Sequence, residues 1–281
     1  MNNLTNYHSH TSFCDGKAPM EAFIAEAVRQ GFTSYGVSSH APLPFRTRWT
    51  IDDREQTGLY LQEFARLKRL YGDRIELYVG LEIDYMDEDQ QPANDYFQSL
   101  PLDYRIGSVH LLHSTQGEIV DIDTKPEVFR EHVRLHLGGD LKRVVLAYFD
   151  KLMRMIGRGR FDFIGHADKI SYNVSCCEPN ILGQQWYKDK ISEYFTFIAE
   201  KGAMIEVNTK TLHRNGFLYP NKEHFGLIRT LGIPVVVNSD AHLPELINSG
   251  RPEALRLLKA SGIGAVWQLE RGVWTEVPIG E

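Results

Sequence analysis

Ile233-Pro234-Val235-Val236-Val237-Asn238-Ser239-Asp240-Ala241-His242 is an apolar run that ends in a carboxylate and an imidazole two residues apart. A strand covered on both faces loses the polar alternation of a half-solvated one. This run therefore belongs in a parallel sheet with helices on its outside. Its polar tail falls at the carboxyl end of the strand, where barrels of alternating strands and helices place their chemistry.

The same design recurs outward along the chain. Strands are expected at about Thr5–Thr11, Ser34–Ser39, Glu76–Tyr85, Tyr104–Leu112, Phe161–His166 and Ala203–Asn208. Helical patterns fall between them. One is Met20–Gln30, opened by Pro19 and stopped by Gly31, with Phe23, Ala27 and Val28 on one face. Others are Asp52–Tyr71, Pro126–Gly157 with a break at Gly138-Gly139, Gln184–Lys201, and a last helix after Pro252. Ala265–Leu269 and Val273–Val277 read as a terminal hairpin around Arg271-Gly272. About seven strand-then-helix units, without a repeat or long linker, predict an α/β protein whose residues 1–281 form a single domain. A parallel barrel or strongly curved sheet is the expected architecture.

Composition narrows the function. With 31 basic and 37 acidic residues the net charge is −6, which disfavours a nucleic-acid surface. Cys14, Cys176 and Cys177 make no disulfide framework. The start MNNLTNYHSH lacks a signal-peptide pattern, and no apolar run approaches the ~20 residues of a membrane helix. The expectation is a cytoplasmic protein that binds neither nucleic acid nor membrane.

Chemistry gathers at the strand ends. His8 and His10, two apart on a strand, project to one side and can converge on one cation. Asp15 follows, and later strands end in His40, Glu82, His110, His166, Asp240 and His242. Six histidines and three carboxylates thus share one topological position, several beside small residues (Gly80, Gly107, Ser108, Gly165) that permit close approach. Buried together without metal, so many polar groups carry a heavy desolvation cost. Nitrogen and carboxylate donors suit Zn, Fe or Mn, and nine ligands need two or three ions. Cys14 is a further soft donor of less suitable phase. His132 and His136 lack the glutamate of a zinc-peptidase helix and read as an exposed face. His224 reads as solvated, and Asp168 as a carboxylate orienting a ligand.

The order His8-Ser9-His10, Asp15, His40, Glu82, His110, His166, Asp240-Ala241-His242 resembles the PHP (polymerase and histidinol phosphatase) superfamily. Ser39-His40-Ala41-Pro42-Leu43-Pro44, Gly107-Ser108-Val109-His110 and Glu206-Val207-Asn208-Thr209 look like its histidinol-phosphate phosphatases. The resemblance implies a distorted (βα)7 barrel with three divalent ions. His8, His10, Glu82 and Asp240 would hold the first, Glu82, His110 and His166 the second, and Asp15, His40 and His242 the third.

That resemblance makes a phosphoric monoester hydrolase of histidine biosynthesis the leading expectation, cleaving the small ester histidinol phosphate with a metal-bridging hydroxide as nucleophile. Asp240 is expected to handle the nucleophile's proton and His242 to serve the leaving group. Arg46, Arg48, Glu206, Asn208, Lys210 and His213 are the expected substrate contacts, with Arg214 favoured as a solvated loop residue. Competing readings are a phosphodiesterase or exonuclease of the same superfamily, a phosphatase for another small monoester, a metal-dependent amidohydrolase, and a non-catalytic metal-binding domain.

Overall fold

The computed structural model describes residues 3–280. Seven parallel strands lie side by side in chain order: β1 (Thr5–Asn6), β2 (Ser34–Val37), β3 (Glu76–Asp84), β4 (Tyr104–Ser108), β7 (Phe163–Ile164), β8 (Met204–Asn208) and β9 (Val235–Asn238). Two short strands, β5 (Leu111–His113) and β6 (Ile119–Asp121), form an antiparallel hairpin above β4. Outside run α1 (Met20–Gln30), α2 (Arg54–Tyr71), α3 (Asp95–Ser99), α4 (Pro126–Leu135), α5 (Leu141–Arg158), α6 (Ile170–Cys177), α7 (Gln185–Glu200), α8 (Leu212–Asn215), α9 (Phe225–Leu231) and α10 (Arg251–Ala260). No helix of the described residues is long and apolar enough to cross a membrane.

The sheet curls until its two edges meet. Near the top a parallel bridge joins Ser9 to Ala241, with His10 N–H donating to the Ala241 carbonyl at 2.8 Å. Lower down, two asparagine side chains span the seam. Asn238 Oδ1 accepts from Tyr7 N–H at 2.8 Å, and Asn6 Oδ1 accepts from Ser239 N–H at 2.7 Å. Side chains replace the backbone ladder there, so the barrel is distorted.

Local signals explain most of the elements. Asp53 caps α2 by accepting from Gln56 N–H at 2.9 Å, and Gly31 ends α1 in the left-handed conformation (φ 76°). Gly138 and Gly139 (φ 78° and 72°) separate α4 from α5, and Asp140 caps the latter.

Three expectations change. The first strand is only Thr5–Asn6, because the Asn238 side chain takes the hydrogen bond of Tyr7 that a neighbouring strand would have supplied. Tyr104–Leu112 is not one strand. His110 N–H turns aside to Asp84 Oδ1 (2.9 Å), and the chain then enters the hairpin. Helix α6, packed against α4 and α5, was not anticipated.

The barrel's lower end is filled by Tyr7, Tyr78, Tyr104 and Phe163 and closed by a hairpin of β10 (Ala265–Glu270) and β11 (Val273–Pro278). Gly36 and Gly80 make room for the Tyr104 ring, which a Cβ at either position would strike. Gly80 therefore serves this floor rather than close approach to a cation. Gly165 does sit at the other end, where a Cβ would meet Ser108 Oγ at 2.6 Å and Glu82 Oε1 at 3.5 Å.

Candidate metal centre

All nine predicted ligands converge above the carboxyl ends of the strands. Glu82, 1% exposed, lies at their centre. Its Oε2 is 3.1 Å from His8 Nε2, 3.5 Å from His10 Nε2 and 3.0 Å from His40 Nδ1. Its Oε1 is 2.8 Å from His166 Nε2 and 3.5 Å from His110 Nε2. Asp240 Oδ1 lies 3.1 Å from His10 Nε2, and Asp15 Oδ2 lies 3.1 Å from His242 Nε2. Three groups have spacings suited to an ion: His8, His10 and Glu82; His40, Glu82 and His110; and His10, Asp15, His40 and His242.

The donors fit cations chemically as well as spatially. His8 Nδ1 donates to Glu206 Oε1 at 2.7 Å, and His110 Nδ1 donates to Asp84 Oδ1 at 3.0 Å. His242 Nδ1 donates to the Asp240 carbonyl at 3.1 Å. A neutral ring that donates from Nδ1 has only a lone pair at Nε2. Those lone pairs face other acceptors: His8 faces Glu82, His242 faces Asp15, and His110 faces His166 Nε2 at 3.1 Å. Acceptors so opposed repel unless a proton or a metal cation lies between them. An ion with Zn–N bonds of 2.0–2.1 Å in tetrahedral geometry holds its donors about 3.3 Å apart, close to these spacings. Buried atoms without a hydrogen-bond partner include His8 Nε2, His10 Nε2, Asp15 Oδ1, His40 Nδ1, Glu82 Oε2 and His166 Nδ1.

Electrostatics and backbone point the same way. Burial alone would raise the Glu82 carboxyl; the positive charge that offsets it comes either from a bound cation or from protonation of His8, His40 and His110, which then hold it well below the usual range. Asp240 is likewise held anionic against its burial by Lys210, His8 and His10. His166 (φ 29°) and Asp240 (φ 49°) adopt positive φ without being glycine, a strained conformation that places both side chains at the mouth.

The expected substrate contacts divide. Lys210 reaches the site, its Nζ 3.2 Å from Asp240 Oδ1. Arg46, Arg48 and His213 are exposed and do not line its cavity. Glu206 and Asn208 lie behind the ligands instead. Glu206 is wholly buried and already receives His8, His166 N–H, Asn208 and Asn238. Asn208 donates to Glu206 and Asp240. Neither has a face free for substrate; both hold candidate metal donors in place.

Asp168 does not touch a ligand ring: it accepts from Asn221 N–H at 3.0 Å and faces His224, which is half-buried rather than solvated. Cys14 Sγ contacts His10 Nδ1 at 3.6 Å.

Sequence reasoning missed Asp84, Trp49, Asp121 and Asp123. Asp84 follows Glu82 by two along β3, the spacing that singled out His8 and His10, so its signal was present. Trp49 sits edge-on to His40 and His110, with ring centres 4.8 and 5.7 Å away. The cavity over the site is small, about 160 Å³, and Trp49, Asp121, Asp123 and Lys210 share its wall with four of the ligands. A larger cavity, about 810 Å³ between α5 and the β5–β6 hairpin, contains none of the nine.

The PHP domain family model matches residues 6–210, well over half of the chain. This chain belongs to the PHP domain family. Among its relatives, "Probable histidinol-phosphatase" of Schizosaccharomyces pombe is 26% identical over 279 residues, covering 94% of this chain and 89% of that protein. The histidinol-phosphatase of Bacillus subtilis is 25% identical over 251 residues, covering 84% of this chain and 92% of its own. A solved structure shares the fold with a TM-score of 0.71 at 17% identity, covering 97% of this chain and 99% of its own. It is the Lactococcus lactis histidinol phosphate phosphatase complexed with zinc, L-histidinol and phosphate.

Proposed function

We propose that this protein is a metal-dependent phosphomonoesterase that hydrolyses L-histidinol phosphate to L-histidinol and phosphate. The observation that carries the reading is the convergence of nine donors with Glu82 at their centre, in a PHP chain that aligns nearly end to end with proteins named histidinol-phosphatase. On this reading the 281 residues work as one barrel unit in the cytoplasm, in histidine biosynthesis.

We assign three divalent ions, of zinc, iron or manganese, to the donor sets that the family resemblance implies, which overlap the three spatial groups without matching them. His8, His10, Glu82 and Asp240 would hold one, Glu82, His110 and His166 a second, and Asp15, His40 and His242 a third. Such ions lower the pKa of coordinated water and neutralise phosphoryl oxygens, the two needs of a very slow reaction.

The chain's own groups supply the remainder. Glu206 and Asp84 fix the tautomers of His8 and His110, so each presents its lone pair inward. Lys210, one-third exposed beside Asp240, offers its ammonium to a phosphate oxygen. Asp240, with Oδ1 inward and Oδ2 anchored by Asn208, is placed to take the nucleophile's proton. His242 suits the leaving-group role less, because both ring nitrogens are engaged. The small cavity favours a small monoester over a polymeric diester.

A metal-replete activity panel tests the reading. Histidinol phosphate should be hydrolysed with kcat/KM well above simple alkyl phosphates, and bis-aryl or dinucleotide diesters only weakly. Equal activity on histidinol phosphate and propyl phosphate would remove the substrate assignment.

A further inference from the structure

We propose that Asp121, in the wall of the cavity over the candidate metal ligands, reads the positive charge of the substrate's leaving group, making it a specificity residue for cationic phosphomonoesters. The proposal rests on the phosphomonoesterase reading above and deepens it.

The charges in the cavity wall are unevenly matched. Asp123 is paired with Lys169 at 3.1 Å, and Lys210 lies against Asp240 at 3.2 Å. Asp121 alone of the wall carboxylates outside the ligand set has no cationic partner among the described residues; its Oδ1 accepts only the backbone N–H of Asp123, at 2.8 Å. It is half-buried, so water compensates its charge only in part. The same wall holds His40, a candidate metal donor 7% exposed, which sets Asp121 beside the space where the ester must lie.

The position is built rather than incidental. Asp121 ends β6, which is paired with β5 immediately after His110. His132 Nδ1 donates to the Asp121 carbonyl at 2.8 Å and pins that end of the hairpin to α4. Ile122 N–H donates to the His110 carbonyl at 2.9 Å. Asp121 is therefore fixed relative to a candidate ligand, and the Trp49 ring lines the same cavity. An ester whose phosphate lies on the ligand side presents its alcohol portion to these two residues. A free carboxylate and an aromatic face are complementary to an ammonium group and a planar cation.

The test uses Asp121→Asn, which preserves size and an acceptor for Asp123 N–H, in full-length metal-loaded protein. The ratio of kcat/KM for L-histidinol phosphate to that for propyl phosphate should fall about 10- to 100-fold, mainly through KM, the range for losing a hydrogen bond to a charged group. Calorimetric binding of L-histidinol in the presence of inorganic phosphate should weaken by a similar factor, with metal content equal to wild type, and Asp121→Glu should recover part of the ratio. A ratio within two-fold of wild type, or histidinol binding unaltered, overturns the proposal. If wild type shows no preference for histidinol phosphate, the substrate reading fails and phosphoethanolamine against ethyl phosphate decides for Asp121. A cation preference that Asp121→Asn abolishes supports the proposal, and no cation preference in wild type overturns it.

Discussion

The two ends of this barrel are equally dry and opposite in character. At the floor, Tyr7 and Tyr104 are fully buried and their hydroxyls are satisfied. Tyr7 Oη meets Ser34 Oγ at 2.5 Å and accepts from Leu269 N–H at 2.8 Å, while Tyr104 Oη donates to the Tyr7 carbonyl at 2.6 Å. At the mouth, His8, His10 and Glu82 are as deeply buried, yet each keeps an atom without a partner and faces another acceptor. A buried polar group left unsatisfied costs about 1–3 kcal/mol, so a fold does not collect such atoms in one place without a compensating ligand. The floor is polar chemistry completed by protein; on the proposed reading, the mouth is polar chemistry completed by cations.

That contrast is broken most forcefully at its centre. Glu82→Gln should lower turnover on histidinol phosphate by about 10³-fold or more and cut the bound metal, because one carboxylate serves histidines of every donor set. Elemental analysis beside steady-state kinetics checks it; full metal with turnover within ten-fold of wild type would be the contrary result. Asp240→Asn, compared at matched metal content, should lower kcat by about 10²- to 10⁴-fold. Unchanged turnover with three ions bound would remove Asp240 from proton handling.

Asp84→Asn loosens the support of one ligand. It should weaken metal affinity about 10- to 100-fold while leaving the protein folded, as followed by competition with a chelating dye. Tyr104→Phe tests the other end. It takes a donor from the carbonyls of Tyr7 and Val37 and should cost about 1–3 kcal/mol of stability, with metal content and kcat of the folded enzyme near wild type. A loss of metal in that variant would erase the distinction between the two ends.

A pH-dependent effect concerns Lys151, buried beside the mouth with its amine donating to the Leu111 carbonyl at 2.8 Å. Burial pushes it down to about 8 from 10.5. Between those values the native state binds fewer protons than the unfolded chain, so stability rises with pH across that window, by at most about 1.4 kcal/mol per unit. Denaturant unfolding of wild type and Lys151→Met from pH 7 to 10.5 should show this slope in wild type only.

The mouth was more legible in sequence than the floor. Histidines and acids at strand ends stand out because packing alone gives no reason to place them there, and all nine came together. The seam was hidden, since nothing in Asn6 or Asn238 announces that a side chain replaces a ladder bond. Glu206 and Asn208 were misplaced for a related reason: a strand-end polar residue looks alike in sequence whether it meets substrate or stands behind a ligand. Only the contacts of Glu206 with His8 and His166 separate the two. Arg46 and Arg48 were named for their charge, but loop direction, which residue type does not encode, turns them to solvent.

The central claim is that the mouth's opposed acceptors are a multinuclear cation site. Counting divalent ions per chain, by elemental analysis of metal-replete wild-type protein after desalting, tests it most directly. The account predicts three ions per chain; one or none would contradict it.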